Sequence, residues 1–257
     1  MALSHACGSR LDDFVKKLSI FWLTPTLRAC IVLREICHNV RFVTGRAQMI
    51  RRIPEKTVAR LSLYRRIMRA LLKDGRTSIF SHELADLALT TAAQVRRDIM
   101  STGYSGNPQR GYTISRLMEA ISAVLDGSRS EEVALVGVGN LGMALLAYFA
   151  ARQQRLTITA AFDSDPYKAG RVIKGCRCWS ITEINEVLSK RSIRTAIIAV
   201  PASRAQKVAD MLAGAGVSGI LNFAPVRLRV SDGIYVENMD MTASIEKVAY
   251  FSRQNAI

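Results

Sequence analysis

The chain has 257 residues, 49% of them apolar, and a formal charge of +15 from 36 Lys and Arg against 21 Asp and Glu. This length suits one large or two modest domains, and this apolar share excludes global disorder. The basic balance points to a polyanionic partner, with nucleic acid ahead of an acidic membrane surface.

Residues 1–48 form an unassigned N-terminal extension that shares no amphipathic period with the segment after it. It is read either as disordered or as untranslated, with Met49 as the initiator. Its apolar run from Leu18 to Leu27 is broken by Pro25 and meets Arg28, well short of the roughly 18–20 residues that cross a bilayer. Asp12 and Asp13 precede that run, which fits a secretory signal poorly. No membrane partner is expected.

A recognisable module starts at Met49. Apolar residues from Val58 to Leu72 recur at helical spacing and predict a helix over 57–73, with Thr57 as its cap and Lys73-Asp74-Gly75 as its stop. A second helix is predicted from Ser81, also as a cap, and a third from Thr90-Thr91 to Gly103. Ser105-Gly106-Asn107-Pro108 is a turn between short extended pieces. Three helices followed by a hairpin describe a winged helix-turn-helix over 49–128, a segment with thirteen basic and seven acidic residues. A helix from Ile114 to Leu125 leads to the boundary at Asp126-Gly127-Ser128.

From Val133 the pattern alternates. Strands are predicted at 133–136, 157–162, 195–200 and 218–222, with helices near 141–153, 180–190 and 202–214. This implies an α/β fold, a parallel sheet with crossover helices, over 129–240. A short strand at 234–236 and a C-terminal helix over 241–257 complete the chain. Cys176 and Cys178 form a lone C-x-C among five cysteines. With no second pair or histidine cluster, a zinc site is not expected. The odd count fits a reducing cytoplasm.

Two constellations carry chemistry. Gln94, Arg96 and Arg97 lie on or near one face of the third helix, where arginine and glutamine read base edges. Arg65, Arg66, Arg69 and Arg110 suit phosphate contacts, which position without specifying. The second constellation is Gly137-Val138-Gly139-Asn140-Leu141-Gly142, a G-x-G-x-x-G run between a strand and a helix. Its glycines suit a tight turn, close approach of a pyrophosphate and helix packing, and the helix start offers free amides. Asp163, at the end of the second strand, is placed to accept both ribose hydroxyls and to repel a 2′-phosphate, so NAD(H) is expected over NADP(H).

Catalytic groups are scarce. The histidines are His5, His38 and His82, all outside the nucleotide-binding half, and no tyrosine has a lysine four residues later. The nucleotide reads as a ligand rather than a reagent.

Residues from about 50 to 253 resemble the redox-sensing transcriptional repressor Rex family. The resemblance rests on Ile53-Pro54-Glu55, Arg60-Leu61-x-x-Tyr64, Gln94-Val95-Arg96-Arg97-Asp98 and the glycine run. It continues in Phe162-Asp163-x-Asp165-Pro166, Val200-Pro201-Ala202 and Gly219 to Pro225. The resemblance implies a homodimer that binds double-stranded operator DNA when NAD+ prevails and leaves it when NADH rises. It implies a C-terminal helix, roughly Thr242–Gln254, swapped into the partner subunit. It also implies that Tyr148 moves with nicotinamide state and that Arg66 and Asp240 pair differently in the two states. Tyr112 joins the DNA-binding set. Ser101-Thr102 stands where the family usually has an aromatic pair, and Pro108-Gln109 interrupts the wing. The rival readings are an NAD-dependent oxidoreductase with an appended basic domain and a DNA-binding protein with a vestigial nucleotide pocket.

Overall fold

A computed structural model describes residues 53–126, 130–151 and 155–254. The N-terminal extension 1–48, Met49, Cys7, Cys30, Cys37, His5, His38 and the Gly127-Ser128 boundary lie outside the described residues. The chain divides into two compact units between Leu117 and Met118.

The first unit holds α1 (Glu55–Lys73), β1 (Ser78–Ile79), α2 (Ser81–Leu87), α3 (Ala92–Ser101), β2 (Tyr112–Thr113) and the start of α4 (Ile114–Leu125). Leu61, Tyr64 and Met68 recur at i, i+3 and i+7 on α1 and are fully buried, as are Leu84 of α2 and Val95 of α3. Burying each such side chain contributes roughly 1.5–3 kcal/mol before entropy is counted. Both expected side-chain caps fail. Pro54 precedes α1 without a side-chain cap, while Thr57 is buried in the first turn. At α2 the Glu83 carboxylate accepts the Phe80 N–H at 2.8 Å, so Phe80 rather than Ser81 occupies the cap position. Thr91 caps α3, its hydroxyl accepting the Gln94 N–H at 3.2 Å.

The wing differs from a free hairpin. β2 pairs antiparallel with β1, the segment before α2, and the turn itself closes with one bridge between Asn107 and Gly111. Its two short arms carry too few residues for a ladder of their own, so the returning strand uses an existing edge.

In the second unit the described residues build a seven-stranded sheet in the order β5-β6-β4-β3-β7-β8-β9. The strands are β3 (Glu131–Val136), β4 (Leu156–Asp163), β5 (Val172–Ile173), β6 (Cys176–Ser180), β7 (Thr195–Ile198), β8 (Gly219–Asn222) and β9 (Tyr235–Asn238). All pairings except β5 with β6 are parallel. Counting the parallel strands by appearance gives 3-2-1-4-5-6, the doubly wound dinucleotide-binding order. The helices are α5 (Asn140–Ala150), α6 (Ile184–Arg191), α7 (Ala202–Gly214) and α8 (Met241–Gln254).

The hydrophobic runs explain the two-faced core. Along β3, Ala134 and Val136 join the cluster of α6 and α7, while Val133 and Leu135 join the cluster under α5. That alternation is the period of a strand buried on both faces. On β4 the period slips. Ile158 sits opposite Val133, but Ala160 sits opposite Ala134, so Thr159 is an extra residue. The bulge lets Ile158 and Ala161 share one face while Ala160 and Phe162 fill the other.

The β5–β6 hairpin was not expected from the sequence. Lys174 and Gly175 at its turn have φ of 49° and 81°, the paired positive values of a tight I′-type turn. It places Cys176 and Cys178 on the same buried face. Burial pushes the Cys176 thiol up to about 11 and raises Cys178 as well, so both stay protonated and unreactive at neutral pH.

One strained position stands in the turn between α2 and α3. Leu89 has φ of 51° and is 94% exposed. An L side chain in this region costs roughly 1–2 kcal/mol, and no burial repays it. Leu89→Gly is therefore expected to stabilise the first unit by about 0.5–1 kcal/mol, the larger unfolded-state entropy of glycine offsetting part of the relief. Urea unfolding followed by far-UV circular dichroism checks this, and a lower midpoint would refute it.

Candidate functional site

The glycine turn occupies the carboxyl end of β3, at the point where strand order reverses between β3 and β7. Gly137 has φ of 99°, and a Cβ there would collide with the Ala199 carbonyl. A Cβ on Gly142 would collide with the Gly137 carbonyl oxygen and touch Leu135 at 3.6 Å. The protein itself therefore demands these two glycines. Gly139 is different. Its φ is −81°, and a Cβ there would meet nothing within 4 Å. No protein atom requires glycine at this position. The space above it is open. Asn140, Leu141 and Gly142 follow as the first turn of α5, whose N–H groups lack helical partners. Val138, at 1% exposure, is the packed residue of the turn.

Asp163 locks this geometry. Its Oδ2 accepts the Val138 N–H at 2.8 Å and the Lys168 ammonium at 3.2 Å, and its Oδ1 accepts the Asp165 N–H at 2.9 Å. Burial alone would raise its pKa. The Asp165 and Val138 amides and Lys168 outweigh burial and hold the carboxyl below the ordinary aspartate value. A carboxylate offers about four lone-pair sites, and three donors already use it. Asp163 therefore keeps accepting capacity on its cavity side while these bonds last.

A cavity of about 770 Å³ opens beside this turn. Gly137, Gly139 and Asp163 line one side, and Val200 and Pro201 of the β7–α7 loop another. Phe162, Ile181, Val208 and Met211 supply apolar surface, and Lys168, Arg204 and Lys207 supply positive charge. An apolar slot with a few polar groups suits an adenosine moiety, and the adjoining amides suit a pyrophosphate. Tyr148 lies on α5 at 48% exposure, its ring edge-on to Phe149 with centroids 5.4 Å apart. It is absent from the cavity wall.

In the first unit, the surface of α3 carries Arg96 and Arg97, both exposed. Arg96 donates to Ser81 Oγ at 3.1 Å, which orients it across α2. Gln94 points elsewhere. Its Nε2 donates to Asp98 Oδ1 at 2.8 Å, so its amide is engaged inward rather than free to read a base. Tyr112 is 9% exposed and packs near Tyr104, which makes it a core residue of the wing base rather than a contact on the surface. Arg110 is exposed in the wing turn, and its backbone N–H donates to Asn107. Arg65 is half-buried on α1, and Arg66 is exposed on the same helix. Asp240 serves α8 as its cap, its Oδ1 accepting the Ala243 N–H at 2.9 Å. Arg66 and Asp240 belong to different units.

Asp98 closes the Gln94-Val95-Arg96-Arg97-Asp98 motif, but its task becomes visible only in three dimensions. It is 1% exposed and receives Arg60 through two bonds of 2.6 and 2.8 Å, Tyr64 at 3.0 Å and Gln94 at 2.8 Å. Thr57 adds a longer contact at 3.4 Å. The carboxylate thus bolts α3 to α1. Burial pushes its pKa up, but Arg60, Gln94 and Tyr64 outweigh that and hold it below the ordinary value. The sequence signal was there in outline: Thr57, Arg60 and Tyr64 share one face of α1 at i, i+3 and i+7.

A winged helix and a doubly wound dinucleotide fold with a pinned glycine turn define a DNA-binding regulator of the nucleotide-responsive class. Known proteins agree. A model described as "Putative DNA-binding protein N-terminus" matches residues 52–99, and one described as "CoA binding domain" matches residues 128–226. The chain is 42% identical over 198 residues to the redox-sensing transcriptional repressor Rex of Roseiflexus sp. (strain RS-1), covering 77% of this chain and 90% of that one. It is 40% identical over 200 residues to the Rex of Syntrophobacter fumaroxidans, covering 77% and 95%. Among solved structures, RSP in complex with β-NAD+ and operator DNA aligns with TM-score 0.74 at 27% identity, over 79% of this chain and 94% of that one. RSP in complex with β-NADH aligns with TM-score 0.70 at 27% identity, over 80% and 96%. The chain belongs to the redox-sensing transcriptional repressor Rex family.

Asp98→Asn leaves Arg60 without its charge partner in a buried setting, and a loss of about 3 kcal/mol is expected in the first unit. Because the folded pKa is depressed, the carboxylate's contribution is complete above the unfolded value of about 3.9. It is lost as pH falls through the lower folded value. Hydrogen exchange of α1 and α3 should show protection dropping below pH 4 in the parent chain and a shallower acid dependence in Asp98→Asn. Equal acid dependence in both would show that Asp98 is not the group responsible.

Proposed function

We propose that this chain is a DNA-binding transcriptional repressor that senses the NADH/NAD+ ratio, binding operator DNA when NAD+ prevails and releasing it when NADH rises. The observation that carries the reading is Gly139. Nothing in the protein needs glycine there, and the space above it opens into a cavity beside the half-buried carboxylate of Asp163. The solved structures of RSP, one with β-NAD+ and operator DNA and one with β-NADH, support the same reading.

Gly137 to Gly142 hold the pyrophosphate and Asp163 accepts the ribose hydroxyls. Tyr148 answers to the nicotinamide. Arg96 and Arg97 reach base edges, while Arg65, Arg69 and Arg110 contact phosphates. Gln94 and Tyr112 act indirectly, by holding α3 and the wing in place. Arg66 and Asp240 form the switch. The winged module spans 49–128, the nucleotide module 129–240 and the dimerisation helix 241–257. Met241, Ile245, Val248 and Phe251 form an exposed apolar stripe on α8, which supports packing of that helix in the partner subunit of a homodimer. No described helix is long and apolar enough to cross a membrane. The chain acts on DNA in the cytoplasm, and the nucleotide is a ligand rather than a reagent, since the nucleotide-binding unit contains no histidine.

The mechanism is a population shift. NADH must bind the arrangement that cannot hold two half-sites more tightly than the one that can, because a ligand with equal affinities shifts nothing. Reciprocity then requires operator DNA to weaken NADH binding by the same factor.

Fluorescence anisotropy on a palindromic operator-like duplex, against a scrambled duplex at fixed salt, tests this. Specific binding released by NADH and not by NAD+ is the expected result, and binding indifferent to both nucleotides would overturn the sensor reading. Gly139→Val should keep the fold and the operator affinity while abolishing the NADH response, because its side chain would occupy only ligand space. Arg96→Ala with Arg97→Ala should lower operator affinity at least about tenfold, roughly 1.4 kcal/mol, and leave NADH binding intact.

A further inference from the structure

Among the described residues of the nucleotide-binding unit, Asn222 is the one polar residue that is buried, at 0% exposure. An amide in such a place costs stability unless its polar atoms are bonded. Asn222 ends β8 and is the last register partner of Ile198 on β7 and of Asn238 on β9. Its Oδ1 accepts the Ala224 N–H at 3.0 Å, which fixes the orientation of the amide. Its Nδ2 then donates to three acceptors: the Val226 carbonyl at 2.8 Å, the Asn238 Oδ1 at 2.9 Å and the Ala224 carbonyl at 3.2 Å. An amide nitrogen carries two hydrogens, so three acceptors share two donors. A tighter hold on the loop carbonyls loosens the hold on Asn238, and the reverse.

The two sides of this side chain lead to different parts of the unit. Residues 223–226 leave the carboxyl end of β8, where the second mononucleotide-binding half of a doubly wound sheet faces its ligand. Phe223 packs on the same cluster as Leu145 and Phe149 of α5, and Phe149 is the ring neighbour of Tyr148. On the other side, the Met239 N–H donates to the Asn222 carbonyl at 2.8 Å. The next residue is Asp240, whose Oδ1 accepts the Ala243 N–H and whose carbonyl accepts the Ser244 N–H at 3.1 Å, both in the first turn of α8. Asn222 is absent from the cavity wall, so it acts on a ligand only through the loop it holds.

We propose that Asn222 is the positioning residue that passes nicotinamide state to α8, by sharing its Nδ2 hydrogens between the 224–226 loop and Asn238. This rests on the sensor reading above and names the residues through which that site reaches the exposed apolar helix. A loop drawn against the ligand takes up the Asn222 hydrogens, releases Asn238 and frees the segment that starts α8. A loop without that contact returns a hydrogen to Asn238 and holds the segment in place.

The test measures how many fold saturating operator duplex raises the NADH Kd of the full chain, in the parent, in Asn238→Ala and in Asn238→Asp. Asn238 is exposed, so replacing it spares the core, and Asn238→Asp keeps the accepting oxygen. Without DNA, the NADH Kd of both variants is expected to stay within about twofold of the parent. The effect of operator DNA on that Kd is expected to shrink at least about threefold in Asn238→Ala and to be largely retained in Asn238→Asp. Hydrogen exchange of residues 239–244 should change on NADH binding in the parent and not in Asn238→Ala. An undiminished effect of DNA in Asn238→Ala, an equal loss in both variants, or exchange at 239–244 that ignores NADH in the parent overturns the proposal and leaves the sensor reading standing. If operator DNA leaves the parent's NADH Kd unchanged, the sensor reading itself falls and this proposal falls with it.

Discussion

The bond from the Val138 N–H to the Asp163 carboxylate is the constraint on which the nucleotide-binding unit depends. It joins the turn after β3 to the end of β4, and so fixes where the backbone of the glycine run lies. With that turn fixed, the clashes that a Cβ would cause at Gly137 and Gly142 follow, and so does the start of α5. The same carboxylate then lines the cavity. Its depressed pKa keeps it charged in that place.

The winged unit is organised in a parallel way around Asp98. Two aspartates, the buried Asp98 and the half-buried Asp163, each gather donors from a second element and are held ionised by them against the cost of desolvation. In the winged unit the result is positional. α3 can present Arg96 and Arg97 outward only if its inner face is bolted down, and Gln94 is part of the bolt. A polar residue on a recognition helix is therefore not automatically a reader of bases.

The charge on the cavity wall comes from side chains brought together from separate stretches. Asp163 and Lys168 come from the end of β4 and the loop after it, and Arg204 and Lys207 from α7. The signs of the charges were readable in the chain, but their sum around a single cavity was not. Reading the cavity as a whole yields a site with more positive than negative charge.

The alternation of apolar runs and glycine-punctuated helices was legible residue by residue. α4 and α7 fall where their periodicity places them, and β3, β4, β7 and β8 lie within a few residues of expectation. The G-x-G-x-x-G run and its acidic partner were equally legible, because local steric rules dictate where glycine is needed and those rules act between near neighbours. Other features required the tertiary structure. The bulge at Thr159 moves Ile158 to the other face of the sheet, and the wing strand pairs with β1 rather than with its own turn. The β5–β6 hairpin around Lys174-Gly175 was signalled by only two residues. Asp98, Gln94 and Tyr112 turned inward although the sequence places two of them on a helix that also faces outward. Periodicity says which residues share a face. Which face is buried, and which distant donor a polar side chain meets there, depends on contacts between residues far apart in the chain, and these exist only once the elements pack.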